Sequence, residues 1–267
     1  MRNHVKLPQI QTVATGARSH VNLARGLTYD FVIFKLTNCV ASDMENFKVR
    51  VGTKNIIEVS NAGVLQDISD YYDRPSASGY FILWFYRPEF STEEERSVFS
   101  LGTQDVSSLS LQWDLKTGLT NPSIDLWAMQ RGPALMGTVA KIRELPASYA
   151  SAGEQALDNI QRTGDRIGAI HMLKSAGDIT NISMDINIGT GPSRLIDMPK
   201  AVLEVVQKAH GRVPQTAKYT HIDTTLLGSV KEPLPTKGLQ ELLIRPTIAT
   251  SGQVTNVIEY FGGFAGA

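Results

Sequence analysis

The chain has 267 residues, of which 19% are charged, and 26 Lys and Arg residues balance 26 Asp and Glu residues. A net charge of zero argues against a nucleic-acid-binding protein, because counterion release requires a clear excess of basic residues. The single cysteine, Cys39, excludes an intrachain disulfide framework and a cysteine-based zinc site, and its apolar neighbours indicate a small buried residue.

The dominant period in the first half is two, which is typical of strands with one buried and one exposed face. In SSLSLQWDL, leucine and tryptophan alternate with serine, glutamine and aspartate. The apolar runs Phe31–Leu36 and Tyr80–Tyr86 are too short for ordinary helices and predict strands covered on both faces. The predicted strands of this half are Phe31–Leu36, Asn46–Val51, Tyr80–Tyr86, Ser107–Leu115 and Pro122–Gln130.

A helical period occurs clearly in two places, Asn61–Tyr72 and Met198–His210. Asn61 is a plausible N-cap of the first helix, whereas Pro199 in the first turn and Gly211 at the C-cap delimit the second. The apolar stripes predicted to face the core are Val64, Leu65, Ile68, Tyr71 and Tyr72 in the first helix, and Val202, Leu203, Val205, Val206 and Ala209 in the second.

The second half repeats the order of elements found in the first. One strand ends near Leu173, and the others cover Asn181–Ile186, Lys218–Leu227, Leu239–Arg245 and Gln253–Phe261. Corresponding elements lie 135 to 138 positions apart, and Gly132–Gly153, with its prolines and small residues, is interpreted as the link.

This order predicts a tandem repeat of one unit of about 130 residues, with about eight antiparallel strands and one helix, the arrangement of a jelly roll. The predicted fold class is all-β, with two tandem eight-stranded jelly rolls that each carry one inserted short helix. We expect the first jelly roll at residues 1–133 and the second at residues 134–267.

No catalytic motif is visible in the sequence. The motifs His-x-His, HExxH, GxSxG and GxxxxGK[ST] are all absent. His171 lies in the apolar segment AIHML and is interpreted as a core or interface histidine, and the short spacing of His221 and Asp223 is common by chance. We therefore predict no catalytic and no cofactor-binding residue, and we assign no metal ligand.

Two acidic clusters remain as candidate calcium ligands. Asp67, Asp70 and Asp73 flank the end of the first helix, and Glu93–Glu95 are expected in a loop. Either cluster could contribute oxygen ligands to a calcium site that a neighbouring subunit completes. Neither has the spacing of an EF-hand, and a solvated surface is the preferred interpretation.

The N-terminal segment is locally basic. Arg2, Lys6, Arg18 and Arg25 precede the first acidic residue, Asp30, and could contact an anionic lipid surface. Scattered solvated charges are the preferred alternative. Residues 1–15 lack the apolar run of a signal peptide, and the longest apolar run in the chain has seven residues, so we expect a protein made in the cytoplasm that does not cross a bilayer.

Several stretches, taken in order, resemble a known family. They are MRN at the start, PQIQTVATG, FYRPEF, FSLGTQDV, RIGAIHMLKSAG, HGRVP and VIEYFGG. Together they resemble the double jelly-roll major capsid proteins of tailless icosahedral phages with an internal membrane, especially the corticovirus coat proteins. The loops around Glu93–Glu95 and Lys231–Gly238 contribute little to this resemblance.

The resemblance implies a structural protein without a reaction, located in the virion capsid. It implies homotrimers that form pseudo-hexagonal tiles of an icosahedral shell around an internal lipid membrane. Implied partners are the chain itself, vertex and membrane-associated capsid proteins and, through the basic N-terminal segment, lipid; direct binding to nucleic acid is not expected. Structural Ca²⁺ is implied by the family alone. The low content of charged residues agrees with a surface that other subunits cover.

Three alternatives remain open at this point. The chain could be a glycan-binding module of two β-sandwiches, although Trp84, Trp113 and Trp127 all fall inside strand patterns. It could be a metal-dependent or glycosidase-like enzyme on a double sandwich. It could also be a minor capsid protein of the same virus class, where a vertex component is expected to form pentamers.

Overall fold

A computed structural model describes residues 2–157, 160–162, 164–174, 178–189 and 191–264. The chain divides into two compact units: unit 1 is Met1–Arg143 with Gly262–Ala265, and unit 2 is Glu144–Phe261. This division falls after residue 143, whereas the boundary proposed from the sequence follows residue 133. Among the described helices, none is long and apolar enough to span a membrane.

Unit 1 is built from two largely antiparallel sheets. Its strands are β1 (Asn3–Lys6), β2 (Arg18–Asn22), β3 (Thr28–Thr37), β4 (Met44–Val51), β5 (Lys54–Asn61), β6 (Tyr80–Trp84), β7 (Leu101–Gly102), β8 (Leu109–Leu115) and β9 (Ser123–Arg131), followed by β10 (Thr138–Tyr149), which continues into unit 2. In one sheet the order is β1-β9-β3-β6, with β7 paired to β3, and in the other β5, β4, β8 and β2 lie side by side.

An aromatic cluster joins the two sheets of unit 1. Phe34 and Phe81 point inward from one sheet, Phe47 and Trp113 from the other, and all four are fully buried. Neighbouring ring centroids lie 5.1 to 6.2 Å apart, within the range of favourable aromatic pairs. The alternation predicted for β4 and β8 is thus confirmed, because their apolar residues form this core.

The expectation that β3 and β6 are covered on both faces is wrong. Buried and less buried residues alternate along both strands, and β6 ends at Trp84 rather than at Tyr86. The outer face carries Phe31 and Trp84, whose rings pack against each other at 4.9 Å and remain half-buried. One pair of large aromatic residues on the outer face of the sheet therefore contributes to the apolar runs, although both side chains remain partly exposed in the described structure. Cys39, expected to be buried, is half-buried in the turn after β3, and burial raises the pKa of its thiol.

Unit 1 contains two α-helices rather than the single helix predicted. Helix α1 (Ala62–Tyr71) buries the predicted stripe of Val64, Leu65 and Ile68, but the side chain of Asn61 forms no capping hydrogen bond. Helix α2 (Glu93–Ser97) replaces the expected loop at the three glutamates. The Thr92 side chain accepts a hydrogen bond from Glu95 N at 3.2 Å, which caps α2 and makes acidic residues favourable in its first turn.

Unit 2 also consists of two sheets around one core. Its strands are β11 (Gly153–Glu154), β12 (Arg166–Lys174), β13 (Ile179–Asn187), β14 (Pro192–Pro199), β15 (Tyr219–Asp223), β16 (Leu234–Pro235), β17 (Glu241–Ile248) and β18 (Gly252–Gly263). One sheet has the order β11-β17-β13-β14; in the other, β15, β12 and β18 are neighbours and β16 pairs with β12. Apolar residues of both sheets, among them Ile170, Ile182, Ile244 and Ile258, form the core.

Helix α3 (Lys200–Ala209) turns only part of its predicted stripe inward. Leu203 and Gln207 are buried, whereas Val202 is 49% and Val205 is 64% exposed. Leu203 and Gln207 lie four positions apart and therefore share one face of the helix. The Gln207 amide donates a hydrogen bond to His221 O at 2.7 Å, which holds this face against β15. The prediction that Val202 and Val205 face the core is therefore wrong. Pro199 is the N-cap residue instead of lying in the first turn, and Gly211 follows the C-cap with φ +74°.

The segment Gly132–Gly153, interpreted as a link from its prolines and small residues, contains the 12-residue strand β10. Its first part is held against unit 1: Gln104 N donates a hydrogen bond to Ala134 O at 3.1 Å, and Met136 N donates one to Asp105 Oδ1 at 2.8 Å. Gly102 makes this approach possible, because a Cβ at that position would collide with the backbone of Ala134 and Leu135.

Candidate functional site

The basic N-terminal segment is paired with acidic side chains of its own chain. Asp30 is 1% exposed on β3 and accepts hydrogen bonds from Arg131 Nε at 2.7 Å and from Ser100 Oγ at 2.8 Å. Arg2 Nε lies 3.5 Å from the second carboxylate oxygen of Asp30, and Arg2 also binds Glu93. Arg2 thus ties the N-terminal end of β1 to β3 and α2.

The other three cations of this segment also have partners. Lys6 Nζ lies 3.0 Å from Asp125 Oδ1, and Arg25 donates to the backbone oxygens of Val106 and Ser107 at 3.2 and 2.9 Å. Arg18 Nε lies 3.0 Å from Asp114 Oδ1, and this hydrogen bond lowers the pKa of the Asp114 carboxyl. Pairing with acids inside the chain leaves less positive charge available to an anionic lipid surface than the sequence alone indicates.

The two acidic clusters do not form a metal site within one copy of the described chain. No three His, Cys, Asp or Glu side chains of the described residues are placed to hold a metal ion together. Asp70 accepts a hydrogen bond from Gln66 at 3.1 Å, and Glu93 accepts one from the Tyr86 hydroxyl at 2.8 Å in addition to binding Arg2. The sequence raised the possibility that a neighbouring subunit completes a calcium site at either cluster, and this stays a prediction.

A buried ion-pair triad connects the end of α1 to the FYRPEF segment. Glu89 accepts two hydrogen bonds from Arg74, at 2.6 and 3.1 Å, and its Oε1 lies 3.1 Å from Arg87 Nε. All three side chains are at most 4% exposed. Burial raises the pKa of the Glu89 carboxyl, but the two guanidinium groups outweigh this effect and the net result is a lowered pKa. The Tyr72 ring lies 4.7 Å from Arg74 and 5.2 Å from Arg87, which adds cation–π stabilisation.

Unit 2 contains a buried cluster of two histidines and a glutamate that sequence spacing did not indicate. His171 on β12, His221 on β15 and Glu259 on β18 meet because β12 lies between the other two strands. His171 Nδ1 lies 2.7 Å from His221 Nδ1, and His171 Nε2 lies 3.0 Å from Glu259 Oε1. The interpretation of His171 as a core histidine is consistent with its complete burial. Asp223, two positions after His221, accepts a hydrogen bond from Arg212 Nε at 2.8 Å and forms an ion pair with this arginine.

This cluster predicts a specific acid sensitivity. Burial, followed by the charges of His171 and Lys200, lowers the pKa of His221 to about 2, although Glu259 acts in the opposite direction. Below the ordinary histidine pKa of 6.5, the unfolded chain binds a proton that folded His221 does not bind. The free energy of unfolding should therefore fall as pH decreases from about 6.5 towards about 2, with one such proton contributing at most about 1.4 kcal/mol per pH unit.

Urea titrations between about pH 7 and about pH 5, where ordinary carboxylates stay ionised, measure this slope. His221→Gln should reduce it, and His4→Gln, at an exposed position on β1, is the control that should leave it unchanged. Equal slopes for the wild type and His221→Gln would contradict the prediction.

Two family models match the chain in tandem. The model described as the viral coat protein P2 N-terminal domain matches residues 4–131, and the viral coat protein P2 C-terminal domain matches residues 139–264. No curated protein matches the sequence.

Solved structures of viral capsid proteins have similar folds. The major capsid protein P2 from Bacteriophage PM2 has a TM-score of 0.90 at 20% identity, with 99% of this chain and 98% of that chain covered. A chain of Sulfolobus Turreted Icosahedral Virus has a TM-score of 0.70 at 14% identity, covering 97% of this chain and 90% of that one. The PBCV-1 virus capsid gives 0.64 at 9% identity, covering 98% and 93%.

Proposed function

The chain belongs to the viral coat protein P2 family, and we propose that it is the major capsid subunit and that three copies of it form one tile of an icosahedral shell. It is a structural protein of the virion, and its fold is the double jelly roll predicted from the sequence. The family consists of coat proteins, not enzymes. The observation that carries the proposal is the tandem match of both domain models to successive halves of one chain.

A trimer is the oligomer that such a chain favours. Two similar units in one chain present six similar bodies in a ring of three, so threefold symmetry approximates the sixfold packing of a flat lattice. The similarity to the Bacteriophage PM2 capsid protein extends over both units at nearly full length, which supports an arrangement built from the whole chain.

The proposal includes further partners of the shell. Contacts with vertex and membrane-associated capsid proteins follow from the role of a shell subunit. A shell around an internal membrane would bring some surface of the protein into contact with lipid. Because Arg2, Lys6 and Arg18 are paired with acidic side chains, the N-terminal cations alone would attract an anionic lipid surface only weakly. Structural Ca²⁺ between copies is proposed as a bridge between carboxylates of different chains.

The solution mass of the purified protein, measured by light scattering with and without calcium, tests this proposal. We expect a mass near three chains, and growth into larger assemblies when calcium is added if calcium joins trimers. A mass of one chain across micromolar concentrations would contradict the trimer, and a mass of five chains would favour a vertex protein. A trimer that does not respond to calcium would contradict the calcium bridge alone.

A further inference from the structure

Strand β14 is the edge of a sheet in unit 2, and no strand of the described chain lies along its outer side. It pairs with β13 and ends the sheet order β11-β17-β13-β14. Most of its residues are exposed, among them Leu195 at 46%. An edge of this kind presents backbone N–H and C=O groups that can pair with a strand of another chain.

The corresponding edge of unit 1, strand β5, is covered. β5 pairs with β4 on one side, and on the other side it pairs in parallel with the first part of β10. In this parallel pair Ile142 lies opposite Ile57 and Arg143 lies opposite Glu58, and all four residues belong to unit 1. Ile57 is only 2% exposed. The same strand of the repeat is therefore covered in unit 1 and bare in unit 2.

Two features show that β5 and β14 correspond. Each strand is followed directly by a helix, α1 or α3. Each also contains a β-bulge against its inner neighbour, and the extra residue is Ile56 in β5 and Leu195 in β14. The bulges align Ile56–Glu58 with Leu195–Asp197, which read IIE and LID. A bulge can protect an edge from pairing, but the bulge in β5 does not prevent its pairing with β10.

The strand that covers β5 has a counterpart at the start of the chain, β1. Leu7 and Pro8, directly after β1, recur 138 positions later as Leu145 and Pro146 in β10. The neighbours of the two strands also correspond. β1 pairs with β9, the last strand before β10, and β10 lies beside β18, the last strand of the chain, where Asn256 donates a hydrogen bond to Leu145 O at 3.1 Å.

The outer edge of β1 is available for the contact that β10 makes. Leu7 N donates to Leu126 O at 2.9 Å, and successive N–H groups of a strand point to opposite sides, so those of His4 and Lys6 point away from β9. No described strand pairs with that side. The salt bridges of Arg2 and Lys6 hold β1 in place on its own unit, so its addition to another strand costs little further ordering.

We propose that β1 of one copy adds in parallel to the bare edge of β14 in a second copy, in the way that β10 adds to β5 within unit 1. The proposal rests on the trimeric function proposed above and names a contact that joins its subunits. The alignments place His4 opposite Ile196 and Val5 opposite Asp197. The added strand would pair backbone groups of both edges and cover the exposed side chain of Leu195.

The first test removes one N–H group from the outer edge of β1. His4→Pro eliminates a donor that points away from β9, so the pairing of β1 with β9 is kept while the added contact loses a hydrogen bond. Self-association should weaken by about tenfold relative to His4→Ala, the matched control, which loses the same side chain and retains the N–H group. Circular dichroism and thermal melting establish that both variants fold, and light scattering over a dilution series measures association.

The second test links the predicted neighbours and does not depend on a proline. In a Cys39→Ser background, Val5→Cys combined with Asp197→Cys places two thiols at opposite positions of adjacent strands, where the Cα atoms would be about 5 Å apart and can form a disulfide. Trimers of this variant should give cross-linked species of two and three chains on a non-reducing gel. Val5→Cys combined with Ser193→Cys, about 10 Å or more along β14, is the control that should remain as single chains.

Two differently tagged chains show whether the bond joins copies. One chain carries Val5→Cys, the other carries Asp197→Cys, and both lack Cys39. When the two are produced together and purified, they should form a disulfide-linked pair that contains both tags. A double variant that cross-links only within itself would run as a single chain and would contradict the proposal.

The outcomes separate this inference from the proposed function. If the wild type remains monomeric, both the trimer and this contact are wrong. If the wild type forms trimers while His4→Pro associates as well as His4→Ala and the cysteine pair does not cross-link, the trimer stands and the strand addition is wrong. Cross-linked species of more than three chains would place the contact between tiles and would overturn its assignment to the trimer.

Discussion

Replacing Glu89 with glutamine is expected to lower the free energy of unfolding by about 3–5 kcal/mol. The substitution leaves Arg74 and Arg87 buried next to each other without the anion that compensates them, and their side chains are 4% and 3% exposed. Repulsion between the two guanidinium groups and the loss of a bidentate hydrogen bond act together, because Arg74 donates two hydrogen bonds to this carboxylate. Urea denaturation of the purified variant measures the change.

Glu94→Gln is the matched control, since Glu94 lies exposed on α2 and the same chemical change there should alter stability by less than about 0.5 kcal/mol. Acid gives an independent check. The folded pKa of Glu89 lies below its ordinary value of 4.5, so its contribution is present above about pH 4.5 and is lost as pH falls through the lowered pKa. A Glu89→Gln protein as stable as the control would show that the triad does not stabilise unit 1.

Phe34→Ala should destabilise unit 1 by about 3–5 kcal/mol, the usual range for removal of a buried phenylalanine. Phe34 is fully buried and contacts Phe81, Trp113 and Phe47, with ring centroids at 5.1, 5.8 and 6.0 Å. Its removal leaves a cavity where the two sheets meet, and the aromatic contacts with both sheets are lost at once. Thermal unfolding followed by circular dichroism and by tryptophan fluorescence reports the loss, because Trp113 lies in the same cluster.

Tyr80→Ala is the control for this substitution. Tyr80 begins β6, the strand that pairs with β3, and its ring is 41% exposed, so the truncation removes an aromatic ring from the same sheet without opening the core. A loss of stability as large as that of Phe34→Ala would mean that the cluster between the sheets is not the dominant core of unit 1.

The alternation of apolar and polar side chains along the strands made most of the fold predictable. Strands β4, β8 and β9 carry a two-residue period over several residues, and the buried face that this period predicts is found in the structure. Strand β10 was missed because its last part contains Pro146 and small residues, which usually mark a loop. Helix α2 has five residues, mainly charged, and is stabilised by its cap and by contacts with Arg2 instead of by an apolar stripe.

The buried clusters were less predictable, because they depend on strand order. His171 lies 50 positions from His221 and 88 positions from Glu259, and only the neighbouring positions of β15, β12 and β18 bring them together. The signal that was available is the occurrence of titratable residues inside apolar strands, as in VIEYFGG and AIHML. For α3, the helical period correctly predicted a stripe of apolar residues. Such a period does not specify whether the rest of the chain buries all of that stripe, and Val202 and Val205 are exposed.

The different environments of α1 and α3 have a consequence for the geometry of the shell. If the two units were interchangeable, a tile could be rotated by one sixth of a turn and fit its neighbours equally well. In the proposed trimer the two units would alternate around the ring, and they would differ chemically, because α1 buries its apolar side chains in its own unit while Val202 and Val205 of α3 are exposed. Only rotations by a third of a turn would then restore the same contacts, so each tile would have a defined orientation relative to its neighbours in a growing shell.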